Sequence, residues 1–131
     1  MKLKENEIIF PDDMDRECVD LCGLLNRLPG VKTFESCCGH CEYRYNIWFF
    51  CDNVDVLSRL GRVTECNYSD GNWEVVVDST DTHPYGVFCL RSKEPFESYG
   101  EMSESMDHLI HNILYWFGDE FDDYFKKKEY E

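Results

Sequence analysis

Tyr45-Asn46-Ile47-Trp48-Phe49-Phe50-Cys51 carries aromatic and β-branched residues on alternate positions of both faces, the composition of a strand inside a sheet. Working outward, Val31 to Ser36 reads as a shorter strand before it. Val63 to Tyr68 and Trp73 to Asp78 flank Ser69-Asp70-Gly71-Asn72, and Asp-Gly between β-rich runs predicts a hairpin. Tyr85 to Arg91 forms a further strand after the Thr82-His83-Pro84 loop. Helices frame these strands. Residues 12 to 28 place Met14, Cys18, Leu21, Cys22, Leu25 and Leu28 on one stripe, with Asp12 or Asp13 as the cap and Pro29-Gly30 as the stop. Asp52 or Asn53 caps a short helix over Val54 to Leu60, ended by Gly61. A long helix runs from about Ser103 to beyond Phe117, its apolar face made by Met106, Leu109, Ile110, Ile113, Leu114 and Phe117. Gly118 kinks or ends it, and Asp119 to Tyr130 continues with acids first and Lys126-Lys127-Lys128 late, an order that suits the helix dipole. The expectation is one α+β domain over residues 1–131. Its mostly antiparallel sheet of about four to five strands packs with an N-terminal helix and a long C-terminal helix.

The 131 residues are 43% apolar and 15% aromatic, which argues against a disordered polyelectrolyte. Thirteen basic against 27 acidic residues give a formal net charge of −14. Such a chain is repelled by nucleic acid and by anionic membranes, so a protein partner with a basic surface fits the charge better than direct nucleic-acid binding. No apolar run approaches the roughly 20 residues that span a bilayer, and Met1-Lys2-Leu3-Lys4-Glu5-Asn6-Glu7 lacks the apolar stretch of a signal peptide. A cytoplasmic location is expected, and there eight cysteines favour thiols or a metal site over a disulfide framework.

Glu35-Ser36-Cys37-Cys38-Gly39-His40-Cys41 places four soft or borderline metal ligands within five residues. Cys38 and Cys41 have the two-residue gap that lets a turn aim two thiolates at one ion, and Gly39 permits the turn. Cys37 and His40 are further candidates, while Cys66 and His83 are the best distal ones. One zinc per chain is expected from this set. Cys18 and Cys22 share the stripe of Leu21 and Leu25 and read as core, as do Cys51 and Cys89 inside strands. Cys38-Gly39-His40-Cys41 also spells the tetrad of thioredoxin-like disulfide isomerases, but Glu42 to Cys51 reads as turn and strand where those enzymes begin a helix. His108 and His111, with Tyr115 near the same strip, read as a solvated helix face. No glycine-rich phosphate loop, His-Glu-x-x-His or nucleophile elbow occurs. A metal- or thiol-dependent enzyme acting on a small substrate, or a zinc-stabilised interaction module, stay open as alternatives to an acidic binding protein. Two acidic surfaces stand out, one at Asp12, Asp13, Asp15, Glu17 and Asp20 and one over the last third, including Glu97, Glu101, Glu104 and Asp107.

Leu25 to Pro29, Thr33-Phe34-Glu35-Ser36-Cys37-Cys38-Gly39-His40 and Ile47-Trp48-Phe49 resemble a set of small phage and prophage proteins over about residues 20 to 50. In that set Gly commonly follows the His, so Cys41 is a departure and Cys37, Cys38 and His40 are the shared positions. With the small size and the acidity, the chain resembles anti-CRISPR proteins aimed at the single-protein type II nuclease. The resemblance implies a non-enzymatic protein in the host bacterial cell. Its partner would be the CRISPR-associated type II nuclease, which it would keep from loading target DNA, anchored through Trp48, Tyr68 and Trp73 or the last helix.

Overall fold

The computed structural model describes residues 14–65, 71–78 and 86–130, with side chains to residue 118. In chain order it forms α1 (Arg16–Leu25), β1 (Val31–Cys37), a short 3-10 turn (Gly39–Cys41), β2 (Asn46–Cys51), α2 (Val54–Glu65), β3 (Trp73–Val77), β4 (Val87–Ser92) and α3 (Tyr99–Tyr130). The four strands make one antiparallel sheet in the order β1-β2-β4-β3, so the architecture is α+β as its sequence predicts. Asp12, Asp13, Tyr68 and the Thr82-His83-Pro84 loop lie outside the described residues, as do Cys66 and His83 among the metal candidates.

Alternation decides which face of β2 meets the helices. Ile47, Phe49 and Cys51 are buried in the core, and Trp48 and Phe50 stand half-buried on the opposite face. There Phe50 packs on Phe34 at 4.5 Å between ring centroids, and Trp48 Nε1 donates to Asp78. The core is filled from α1 by Cys18, Leu21, Cys22 and Leu25, and from α3 by Met102, Met106, Leu109, Ile113 and Phe117. Both sets recur at helical spacing.

Three expectations change. Val63 to Glu65 is not strand but the last turn of α2, and Gly61 does not end that helix. Val56, Leu60, Val63 and Thr64 are buried on one helical stripe that runs through Gly61, and Thr64 Oγ1 donates back to the Gly61 carbonyl at 2.8 Å. β3 pairs with β4, and residues 63–65 belong to α2, while residues 66–68 lie outside the described residues. Second, α3 starts at Tyr99, four residues before Ser103, because Ser98 Oγ accepts from the Glu101 amide at 3.1 Å. Glu101 Oε2 in turn accepts from the Glu97 amide. Ser98-Tyr99-Gly100-Glu101 is thus a capping box by its spacing. Third, Trp73 is 1% exposed, so it cannot anchor a partner. Gly118, at φ 43 and ψ −130, kinks the helix as expected.

Cys18, Cys22, Cys51 and Cys89 are all buried. Burial pushes the thiols of Cys18 and Cys89 up to about 12 and that of Cys22 up to about 11, from an ordinary value of 9.0. Folding therefore holds these thiols protonated where the unfolded chain releases the proton. The stabilisation is complete below pH 9 and is lost as pH rises from there toward the folded values. Urea unfolding under reductant should show stability falling between about pH 8 and about pH 10.5. Cys22→Ala should make that slope shallower, at a cost on the order of 1 kcal/mol for a small buried group. A flat profile in the parent protein would contradict the burial.

Candidate metal centre

The site forms where the N-terminus of α1 meets the turn between β1 and β2. Asp15 is the N-cap of α1, yet its carboxylate makes no capping bond to its own helix. Instead Oδ2 accepts from the Cys38 amide at 2.8 Å, across 23 residues of sequence. That contact brings the turn over the helix end. Oδ1 lies 3.6 Å from His40 Nε2. Cys37 completes the group, and the ligand atoms of Asp15, Cys37 and His40 all lie within 4.8 Å of one another. Burial alone would raise the Asp15 carboxyl, but its hydrogen bonds with Cys38 and the charge of His40 outweigh that and hold it below its ordinary value.

The turn can aim these side chains because of its backbone. Gly39 sits at φ 78, and a Cβ there would stand 2.7 Å from the Arg44 carbonyl oxygen. Only glycine fits both the torsion and the space. His40 and Cys41 follow at φ 53 and φ 62, in the left-handed region that most side chains avoid. Three successive left-handed residues reverse the chain and place His40 back beside Cys37.

Of the residues its sequence nominates, the structure brings together Cys37 and His40. Cys38 is fully buried, with Sγ 3.6 Å from His40 Nδ1, and stands behind the imidazole outside the three-donor group. Cys41 is half-buried, packs against the core and is also outside the group. The residue missed from sequence is Asp15, which looks like one more acid on a charged helix. The Cys38-Gly39-His40-Cys41 tetrad lies on a 3-10 turn, not at the start of a helix. Burial raises the Cys38 thiol to about 11, opposite to the depressed value of a redox thiolate. On α3, His108 and His111 are exposed beside Asn112 and Tyr115.

The fold and site define an acidic α+β protein with one mixed carboxylate, thiol and imidazole group among the described residues, an arrangement compatible with a bound metal ion. No helix among those residues is long and apolar enough to cross a membrane. Compared with protein families, curated proteins and solved structures, the chain matches none.

Proposed function

We propose that this chain is a zinc-stabilised, acidic binding protein that inhibits a type II CRISPR nuclease by direct contact and prevents target-DNA loading, with no chemistry of its own. The supporting observation is a groove between α1 and α3. Tyr99 and Ile110 give it apolar surface over the buried Met102 and Met106, and Glu17, Asp20 and Asp107 stand on its rim, with Arg16 as a single cation among the lining residues. A carboxylate rim selects against acidic partners. The occupant that fits is a basic, amphipathic segment of the nuclease, whose nucleic-acid channels must be cationic because they hold phosphates. Direct nucleic-acid binding is disfavoured by the charge of −14. The buried thiols of Cys18, Cys22, Cys51 and Cys89 are shifted toward the protonated form, which supports packing over nucleophilic catalysis.

The test is titration of a guide-loaded type II nuclease with the purified protein. Size-exclusion chromatography should give a stoichiometric complex. Target-DNA binding should be lost in proportion to complex formed, with nuclease, guide and DNA unchanged in mass. Absence of any complex, or inhibition at far below stoichiometric amounts, would overturn the reading. The second outcome would point to an enzyme.

A further inference from the structure

Each of the three donors at the turn has one side already engaged. Asp15 gives Oδ2 to the Cys38 amide, which leaves Oδ1 directed toward His40. His40 has Nδ1 against Cys38 Sγ, which leaves Nε2 facing Asp15. Cys37 Sγ accepts from the Gly39 amide at 3.4 Å. Two ligands held tetrahedrally at about 2.0–2.3 Å from one zinc ion stand about 3.3–3.8 Å apart. The Asp15–His40 separation of 3.6 Å already lies in that range, and Cys37 is within 4.8 Å of both.

We infer that Asp15, Cys37 and His40 are the protein ligands of one zinc-class divalent ion, joined to the fold through Cys38 and Gly39 behind them. The inference rests on the zinc reading above and fixes its ligand set. One oxygen, one nitrogen and one sulfur suit a borderline ion. Calcium and magnesium demand oxygen-rich shells, so they are poor occupants. Among the described residues three donors meet, so the fourth tetrahedral position is filled from outside this group. Cys38 is a positioning residue: it orients His40 through its sulfur and Asp15 through its amide. Cys41 takes no part. The site ties Asp15, just before α1, to Cys37 at the end of β1.

Cobalt(II) titration of the reduced, full-length protein tests this, because a thiolate ligand gives a charge-transfer band in the near ultraviolet. Asp15→Asn keeps an oxygen acceptor for the Cys38 amide, so the fold should be kept. It should weaken cobalt binding about 100-fold or more, beyond the usual effect of an outer-shell change. Cys37→Ser should abolish the charge-transfer band, and His40→Gln should weaken binding as Asp15→Asn does. Cys41→Ala and Cys22→Ala should bind as the parent does. Parent-like binding by Asp15→Asn and Cys37→Ser, with loss in Cys41→Ala, would overturn this ligand set and leave the zinc reading standing. No binding by the parent protein would overturn both. Circular dichroism of each variant separates a lost ligand from a lost fold.

Discussion

Trp73→Ala lowers the melting temperature by about 10–20 °C, the largest effect expected of any single substitution. The indole is 1% exposed and sits where the sheet meets α3. Its ring meets Tyr45 edge-on at 5.2 Å and Phe96 at 5.6 Å, and its Nε1 donates to Ser105 Oγ at 2.9 Å. Truncation removes the apolar contacts of all three neighbours and opens a cavity, which for Trp to Ala costs about 3–5 kcal/mol. For a chain of this size each kcal/mol shifts the melting temperature by about 3–5 °C. The hydrogen bond is the smaller part, since Ser105 Oγ also accepts from Asn72. Trp73→Phe, which keeps most of the ring and loses the bond, should therefore fall by only about a third as much, with a bond of this kind worth about 1 kcal/mol. The check is thermal melting followed by circular dichroism, with urea unfolding to convert the shift to free energy. A loss under about 1 kcal/mol in Trp73→Ala would show that the ring is not part of the core.

The sheet was legible where side-chain chemistry and position agreed. β2 announces itself by aromatics on both faces, and the structure uses both, one against the core and one under Phe34. α1 and α3 announce themselves by stripes that no strand could present. The failure came at α2. Val63 and Thr64 are β-branched, and a Gly stands two residues before Val63, so local preference favours a break and a strand there. Tertiary burial of Val56, Leu60, Val63 and Thr64 overrides that preference. The cap at Ser98 was written in the sequence as Ser-x-x-Glu, yet it lies before the first strongly apolar position and is easy to pass over.

The site was half legible. Cys37 and His40 are visible because soft ligands crowd into five residues. Asp15 is not, because nothing local distinguishes it from Asp12, Asp13 or Asp20. What singles it out is a contact across 23 residues, made possible only once α1 lies beside the turn. The Cys38 and Cys41 thiols stand outside the group that Asp15, Cys37 and His40 form. A two-residue gap aims Cys38 and Cys41 at one ion when the intervening turn is of the ordinary kind. Here Gly39, His40 and Cys41 all adopt positive φ, so Cys38 turns into the core and His40 takes the outward place.

Reversing Asp20, Glu104 and Asp107 to Lys should slow association with a type II nuclease by about 10-fold or more at low salt, while changing dissociation far less. All three are exposed, and two of them stand on the rim of the groove between α1 and α3. Glu101 is left in place because its carboxylate accepts the Glu97 amide and helps to start α3. Each exchange removes two negative units from a chain at −14, and the lost units are those closest to the proposed contact. Steering of this kind acts through the long-range field, so it weakens beyond a Debye length of about 10 Å at 0.1 M salt. The parent protein should therefore lose association rate with added salt, and the triple variant should lose less. Moving the same three reversals to Glu35, Asp55 and Glu65, all exposed on other elements, should slow association by a smaller factor. Charge alone gives no specificity, so the apolar surface must hold what the rim attracts. Ile110→Ala, which removes apolar contact and no charge, should speed dissociation and leave association near the parent value. Stopped-flow or surface-plasmon kinetics at several salt concentrations resolves the two rates. Equal association rates for parent and triple variant, both indifferent to salt, would mean that the acidity serves only to keep the chain in solution.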